Sequence, residues 1–426
     1  MDLKKILKYF LIAAAVIAVV CIAVYFLTRG GNQQENQAGQ TGTLPAANVN
    51  GGAFNQNASG TTQGGGASAN QNPSSATTHR LAIPSSEPVL DYFIDSGGAE
   101  TIIEPNGEIA SVTNNNTDIL SSSEVQNVIS AGFSYDGAKI LINFGDASNP
   151  QTSVFDVKTK LWTPLPAGMV SPQWSPTDYR IAYLQNNTDG TKTLTTLDES
   201  KTKNNSAAVI TLHIQDFSLL WLSKNKILFY DSPSVYTFGS AWMFDLQKKN
   251  MTSIVVKQRG METAWSNAAN AIGIVFTGNA SQYGGQLQLV DDSGNEIEQF
   301  GFLTFPSKCV FNQSASSGTQ SVNQTATTTA ASSSTASAAA SSSYQMLYCG
   351  VPRDQSALSS SKLPDDYEQM AIFTSDNIYR IDTSNGNVDT LFNDQGQNID
   401  ASDLKIFNNS LFFINRYDQK LYSINM

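Results

Sequence analysis

Histidine is nearly missing from this chain of 426 residues: His79 and His213 are the only two. Cysteine numbers three, Cys21, Cys309 and Cys349. A tetrahedral zinc site needs four Cys or His ligands, or three with a water, converging from fixed spacings. Nothing here supplies them, and no metal or other cofactor is expected. Charged residues make up only 14% of the chain, against about 25% in ordinary globular proteins. Asn, Gln, Ser and Thr stand in their place, which suits a surface facing the outside of a cell. Basic residues are outnumbered 25 to 36, for a net charge of -11, and no basic run offsets the excess. Such a field repels phosphate polymers, so no nucleic-acid partner is expected.

Catalytic motifs are scarce as well. A serine hydrolase needs a nucleophile elbow of the form G-x-S-x-G; FGSAW around Ser240 is the nearest approach and lacks the second glycine. The glycine-rich stretches GQTGTL and TQGGGAS have no flanking strand and helix to make a phosphate loop. Adjacent acids occur at Asp291 and Asp292 and at Asp365 and Asp366. Paired carboxylates are the minimum for glycoside cleavage, but these pairs read as a hairpin turn and a surface loop.

After residue 28 there are no long amphipathic helical periods, and the class is all-β. What is present is a recurring phrase, an aromatic followed by a short polar turn and an apolar strand. It opens at Phe133 (FSYDGAKILI), Trp174 (WSPTDYRIAY), Trp221 (WLSKNKILFY) and Trp265 (WSNAANAIGIVF), with looser copies at Phe311 (VFNQ) and Phe407 (IFNNSLFFI). The first five are 41, 47, 44 and 46 residues apart, the period of a four-stranded propeller blade. Between them falls a second phrase, a strand ending in an acid and a turn, at Ile103, Phe155, Leu197, Phe244, Val290 and Ile381, with KLYSIN from Lys420 as the last third strand. Seven such strands predict a β-propeller of about seven four-stranded blades, though six or eight fit the same strands. The first unit lacks an obvious innermost strand and the last an outermost one, so the ring closure is not legible.

Each aromatic offers a stacking platform for a ligand, but a ring opening an inner strand more simply wedges between blades, burying about 150 to 250 Å². Phe133, Trp174, Trp221, Trp265, Phe311 and Phe407 are therefore read as blade-packing core.

Three segments are expected: 1–28, a cytoplasmic stub and transmembrane helix; 29–80, a polar linker too poor in apolar residues to fold; and 81–426, the propeller, with a Ser/Thr/Ala-rich insertion at 312–343. Ile6 to Leu27 is an apolar run of 22 residues, about 33 Å as a helix and enough to span a bilayer. Lys4, Lys5 and Lys8 precede its centre and only Arg29 follows, which puts the N-terminus in the cytoplasm and the head outside. A cleaved signal peptide is the competing reading, but VYFLTRGG lacks a small-x-small cleavage pattern. Cys309 and Cys349 lie in apolar strands on either side of the insertion. Paired as a hairpin, those strands let the thiols face each other and form a disulfide outside the cell; two buried free thiols are the alternative.

FSYDGAKILI and WSPTDYRIAY look like the strand openings of TolB-like propellers, relatives of WD-repeat proteins. The anchor and tether, KCVF and LYCGVP, and the ending NIYRIDTSNGNVDTLF with IDASDLKIFNNSLFFINRYDQKLYSI resemble single-pass propeller proteins of candidate-phylum bacteria. The resemblance covers about residues 85 to 426; Trp221 and Trp265 depart from it in lacking the Asp-Gly turn. It implies fold and location and carries no activity. The expected function is a membrane-anchored extracytoplasmic module that binds or scaffolds a protein or glycan partner at the cell envelope, without catalysis. A carboxylate-based glycosidase or lyase on the same scaffold is the alternative.

Overall fold

A computed structural model describes residues 80–426 apart from 114–115, 123–124, 148, 202–204, 215–216, 269, 280–282 and 313–344. The apolar run Ile6 to Leu27, the linker up to His79 and nearly all of the insertion lie outside the described residues.

Seven four-stranded antiparallel sheets follow one another along the chain. Blade 1 is Asp91–Ile94, Glu100–Ile103, Ile109–Thr113 and Asn116–Ser121, from the inside outwards. Blade 2 is Val128–Phe133, Lys139–Asp146, Asn149–Asp156 and Leu161–Pro164. Blade 3 is Met169–Trp174, Arg180–Asn186, Lys192–Asp198 and Ser206–Leu212, and blade 4 is Ser218–Ser223, Lys226–Tyr230, Phe238–Asp245 and Asn250–Arg259. Blade 5 is Glu262–Trp265, Ile272–Gly278, Gly285–Asp291 and Glu296–Gln299. Blade 6 is Cys309–Phe311, Met346–Pro352, Asp376–Asp382 and Val388–Phe392. Blade 7 takes Ala401–Phe407, Ser410–Asn415 and Lys420–Asn425 from the end of the chain and Leu81–Ala82 from its beginning.

Position within a blade dictates the residue pattern. Second strands are sandwiched between neighbouring blades, so they are apolar without alternation: Ile140, Leu141 and Ile142 are all buried. Outer strands face water on one side, and Ser206–Leu212 is mostly exposed or half-buried. Apolar clusters form between blades because one thin sheet cannot bury its own faces. Trp265 shows the fit: it packs with Leu222, Leu228 and Val275, and a Cβ on Gly273 would stand 2.5 Å from its ring.

The ring closure corrects the reading of both ends. Ile103 ends the second strand of blade 1, and the third is Ile109–Thr113. The innermost strand that had seemed missing is Asp91–Ile94. The outermost strand of blade 7 is the pair Leu81↔Ile424 and Ala82↔Ser423, too short to show any alternation in sequence. Most of the closure comes from packing instead. Ile94, Ile102 and Val112 of blade 1 join Phe412, Ile414 and Leu421 of blade 7 in one cluster.

Cys309 and Cys349 are directly opposite across the first two strands of blade 6 and are joined by a disulfide.

Candidate functional site at the channel mouth

Serine follows three of the six aromatics, as Ser134, Ser175 and Ser266. Ser134 accepts the Lys139 N–H at 3.0 Å, and Ser266 accepts the Ile272 N–H at 3.0 Å. In these two blades the hydroxyl closes the turn from first to second strand. In blade 2 the turn continues through Gly137 at φ +72°, where a Cβ would meet the Phe93 ring at 2.2 Å. Asp-Gly chemistry at that turn is therefore also what lets blades 1 and 2 meet.

These strand ends surround a cavity of about 570 Å³. Its wall takes residues from all seven blades: Phe93, Phe133, Trp174, Leu220, Asn267, Phe311 and Phe407 among them. It is the mouth of the central channel. Phe93 is its aromatic hub, 5.9 Å from Phe133 and edge-on to Phe407 at 5.2 Å between ring centroids.

Two charged residues, Asp91 and Lys405, stand among the apolar and neutral polar residues of the wall. Lys405 forms an ion pair with Asp91 and a second with Asp403 at 3.2 Å, while its Nζ lies 4.3 Å from the Tyr92 ring centroid. The Tyr92 hydroxyl donates to the Asp403 carbonyl at 2.6 Å. A register shift between Ser402 and Lys405 turns these side chains together. Burial pushes Asp91 up to about 6, with Lys405 opposing and Asp403 reinforcing the rise.

Of the six aromatics singled out from the sequence, Phe133, Trp174, Phe311 and Phe407 line this cavity. Trp174, Trp221 and Trp265 are 8, 4 and 7% exposed, and Phe311 is 3% exposed. Phe133 and Phe407 are only half-buried. Asp91, Phe93, Asp403 and Lys405 escaped sequence reasoning. The first unit was read one strand out of phase, and DYFI and SDLKI carry no motif that marks them. The acid pairs are held by partners outside the cavity: Asp291 accepts the Ser293 and Asn295 N–H groups, and Asp292 is paired with Lys226. Asp365 accepts the Val235 N–H at 2.7 Å and Asp366 the Lys362 N–H at 2.7 Å.

The opposite face, where innermost strands begin, holds two further polar features. Lys308, fully buried, bonds Asp376 at 2.7 Å and Asp400 at 2.6 Å; Arg416 pairs with Asp400 at 2.9 Å. Nearby, burial pushes Glu262 up to about 8, with the Glu368 charge adding to it. Burial also raises Glu100 to about 7. A carboxyl whose folded pKa exceeds its unfolded value binds more protons when folded, so stability falls as pH climbs through that window. Urea midpoints are expected to drop from pH 5 to pH 8. Glu262→Gln should match the parent at pH 5 and exceed it at pH 8 by about 1 to 2 kcal/mol after allowing for solvent screening. Identical pH profiles for the two proteins would contradict this assignment.

Comparison with solved structures returns propellers. The chain is similar to a virginiamycin B lyase from Staphylococcus aureus (9% identity, TM-score 0.47), covering 82% of this chain and 99% of that one. It is similar also to the β-propeller domain of the Trilobed protease from Pyrococcus furiosus, described as having an open velcro topology (12% identity, TM-score 0.43, 82% and 96% covered). TolB from Acinetobacter baumannii aligns over 51% of this chain and 61% of its own, at 14% identity and TM-score 0.33. No family model and no curated protein sequence matches the chain. At these scores the likenesses carry no activity across, and the fold rests on the seven sheets themselves.

Proposed function

We propose that this chain is a membrane-anchored, extracytoplasmic binding module of the cell envelope, and that its partner is a protein or glycan engaged at the channel mouth. The observation that carries the reading is the cavity of about 570 Å³ walled by all seven blades. Its chemistry fits a group that is apolar along one side, to lie against Phe93, Phe133 and Phe407, and polar at its tip, to meet the Asp91–Lys405 pair. Concave, mostly apolar sites with a few convergent polar groups are the usual form of a binding pocket. The apolar run Ile6 to Leu27 and the lysines before it support the anchor and the outward-facing head.

A photo-crosslinking side chain at position 135 tests this in intact native cells. Tyr135 is 47% exposed on the cavity wall. Leu161, 64% exposed on the outer strand of blade 2, is the control position. The expected result is one dominant adduct from position 135, absent from position 161 and formed with a membrane-impermeant reagent in a parallel experiment. The same adducts from both positions, or labelling only after cell lysis, would count against the mouth or against the topology.

A further inference from the structure

On the face opposite the channel mouth, Tyr236, Phe238 and Tyr283 are 61, 60 and 59% exposed, more than any other aromatic among the described residues. Single exposed rings need no explanation, but a group of them held in place does. The Arg259 guanidinium lies 4.1 Å from the Phe238 ring centroid and donates to the Tyr236 carbonyl at 2.5 Å. Lys362 Nζ lies 4.6 Å from the Tyr283 centroid and 6.0 Å from that of Tyr236. One ammonium thus stands against two rings and one guanidinium against the third.

The platform is braced from below by the long loop of blade 6, residues 353–375. Gly284 N–H donates to the Ser361 carbonyl at 3.0 Å, and Val235 N–H to the Asp365 carboxylate at 2.7 Å. Leu363 and Pro364 lie so close that a Cβ on Gly278 would stand 2.1 Å from the Leu363 carbonyl oxygen and one on Gly260 2.7 Å from Pro364. Backbone held this closely loses little freedom when a ligand arrives.

We infer that this platform binds a polysaccharide bearing carboxylate groups, such as a uronic-acid polymer. The flat C–H faces of sugar rings suit the open surface of Tyr236, Phe238 and Tyr283. Each ring also has a cation over it, which sets a positive charge close to each aromatic, as a sugar carrying a carboxylate requires. In a chain of net charge -11 that local pairing of cation and ring is what selects an anion. Of the acids beside these loops, Asp231 accepts the Ser240 N–H, and Asp365 and Asp366 accept the Val235 and Lys362 N–H groups.

Titration of the full-length chain, in neutral detergent, with oligomannuronate and with a neutral manno-oligosaccharide tests the assignment. The acidic oligomer should bind and the neutral one bind at least tenfold more weakly. Affinity should fall with added salt, and Tyr283→Ala and Tyr236→Ala should each weaken it by roughly tenfold. Lys362→Gln should remove much of the salt dependence. Absence of binding, equal affinity for the neutral oligomer, or indifference to all three substitutions would overturn the proposal. So would tighter platform-dependent binding of polyglutamate or of phosphatidylglycerol vesicles than of the oligouronate. The crosslink at position 135 should persist in Tyr283→Ala, so the two sites fail or stand separately.

Discussion

Lys308→Ala is expected to destabilise the head by about 3 to 5 kcal/mol, the range for breaking a buried ion pair on one side. Lys308 sits on the short turn Pro306–Lys308 before blade 6, fully buried. Its Nζ reaches Asp376 and Asp400, and also Thr374 Oγ1 at 2.6 Å. Arg416 completes a set of two cations and two anions, and its guanidinium lies 3.6 Å from the Tyr367 ring centroid. Asp376 belongs to blade 6, while Asp400 and Arg416 flank strands of blade 7. The network therefore pins one blade to the next beside the ring closure.

The two acids respond differently to their setting. Burial raises Asp376, and the neighbouring Asp400 raises it further against the pull of Lys308. Burial opposes ionisation of Asp400 too, but Lys308 and Arg416 together outweigh it and hold its carboxyl below the usual range. Removing Lys308 leaves Asp400 with Arg416 and strands Asp376 without a cation. Lys308→Met combined with Asp376→Asn should therefore recover more than half of the loss, because Asn still accepts the Ala401 N–H that Asp376 holds at 2.9 Å. Urea unfolding of the three proteins measures this. A single variant within about 1 kcal/mol of the parent, or a double variant no better than the single, would show that the network does not hold the blades.

Replacing both half-cystines, Cys309→Ser with Cys349→Ser, should lower stability by up to about 4 kcal/mol in the loop-closure model. The two residues are 40 apart in sequence and directly paired in the first two strands of blade 6. The strand pairing remains in the serine variant, so the loss arises because the unfolded chain regains the freedom of that long loop. Cys349 is fully buried and Cys309 only 6% exposed, so reductant added to the folded protein should act slowly and reach the same end point after unfolding. Coincident urea curves for the oxidised and serine forms would refute the loop-closure account.

The phrase of aromatic, polar turn and strand was legible because its physics is local. A ring, a short polar turn and an apolar strand are close neighbours in sequence, and the phrase recurs in blades 2 to 5 with looser copies in blades 6 and 7. Counting third strands points to about seven blades, though six or eight fit the same strands, and two cysteines in neighbouring strands allow a disulfide or two buried thiols. The channel chemistry was not legible. Asp91 and Lys405 are separated by most of the head, and nothing near either one marks it; they meet only because the last blade closes on the first. Lys308, Asp400 and Arg416 come from three separate connections in the same way. The platform of Tyr236, Phe238 and Tyr283 also joins separate loops, and its cations arrive from the end of blade 4 and the long loop of blade 6.

By itself, then, the amino-acid sequence determined the repeating unit and the apolar faces that must stack, since strand period and turn chemistry act over a few residues. Tertiary structure alone decided where the ring closes and which charges share a cavity. Those depend on the circle of blades bringing together residues more than 300 positions apart, as Lys405 and Asp91 are.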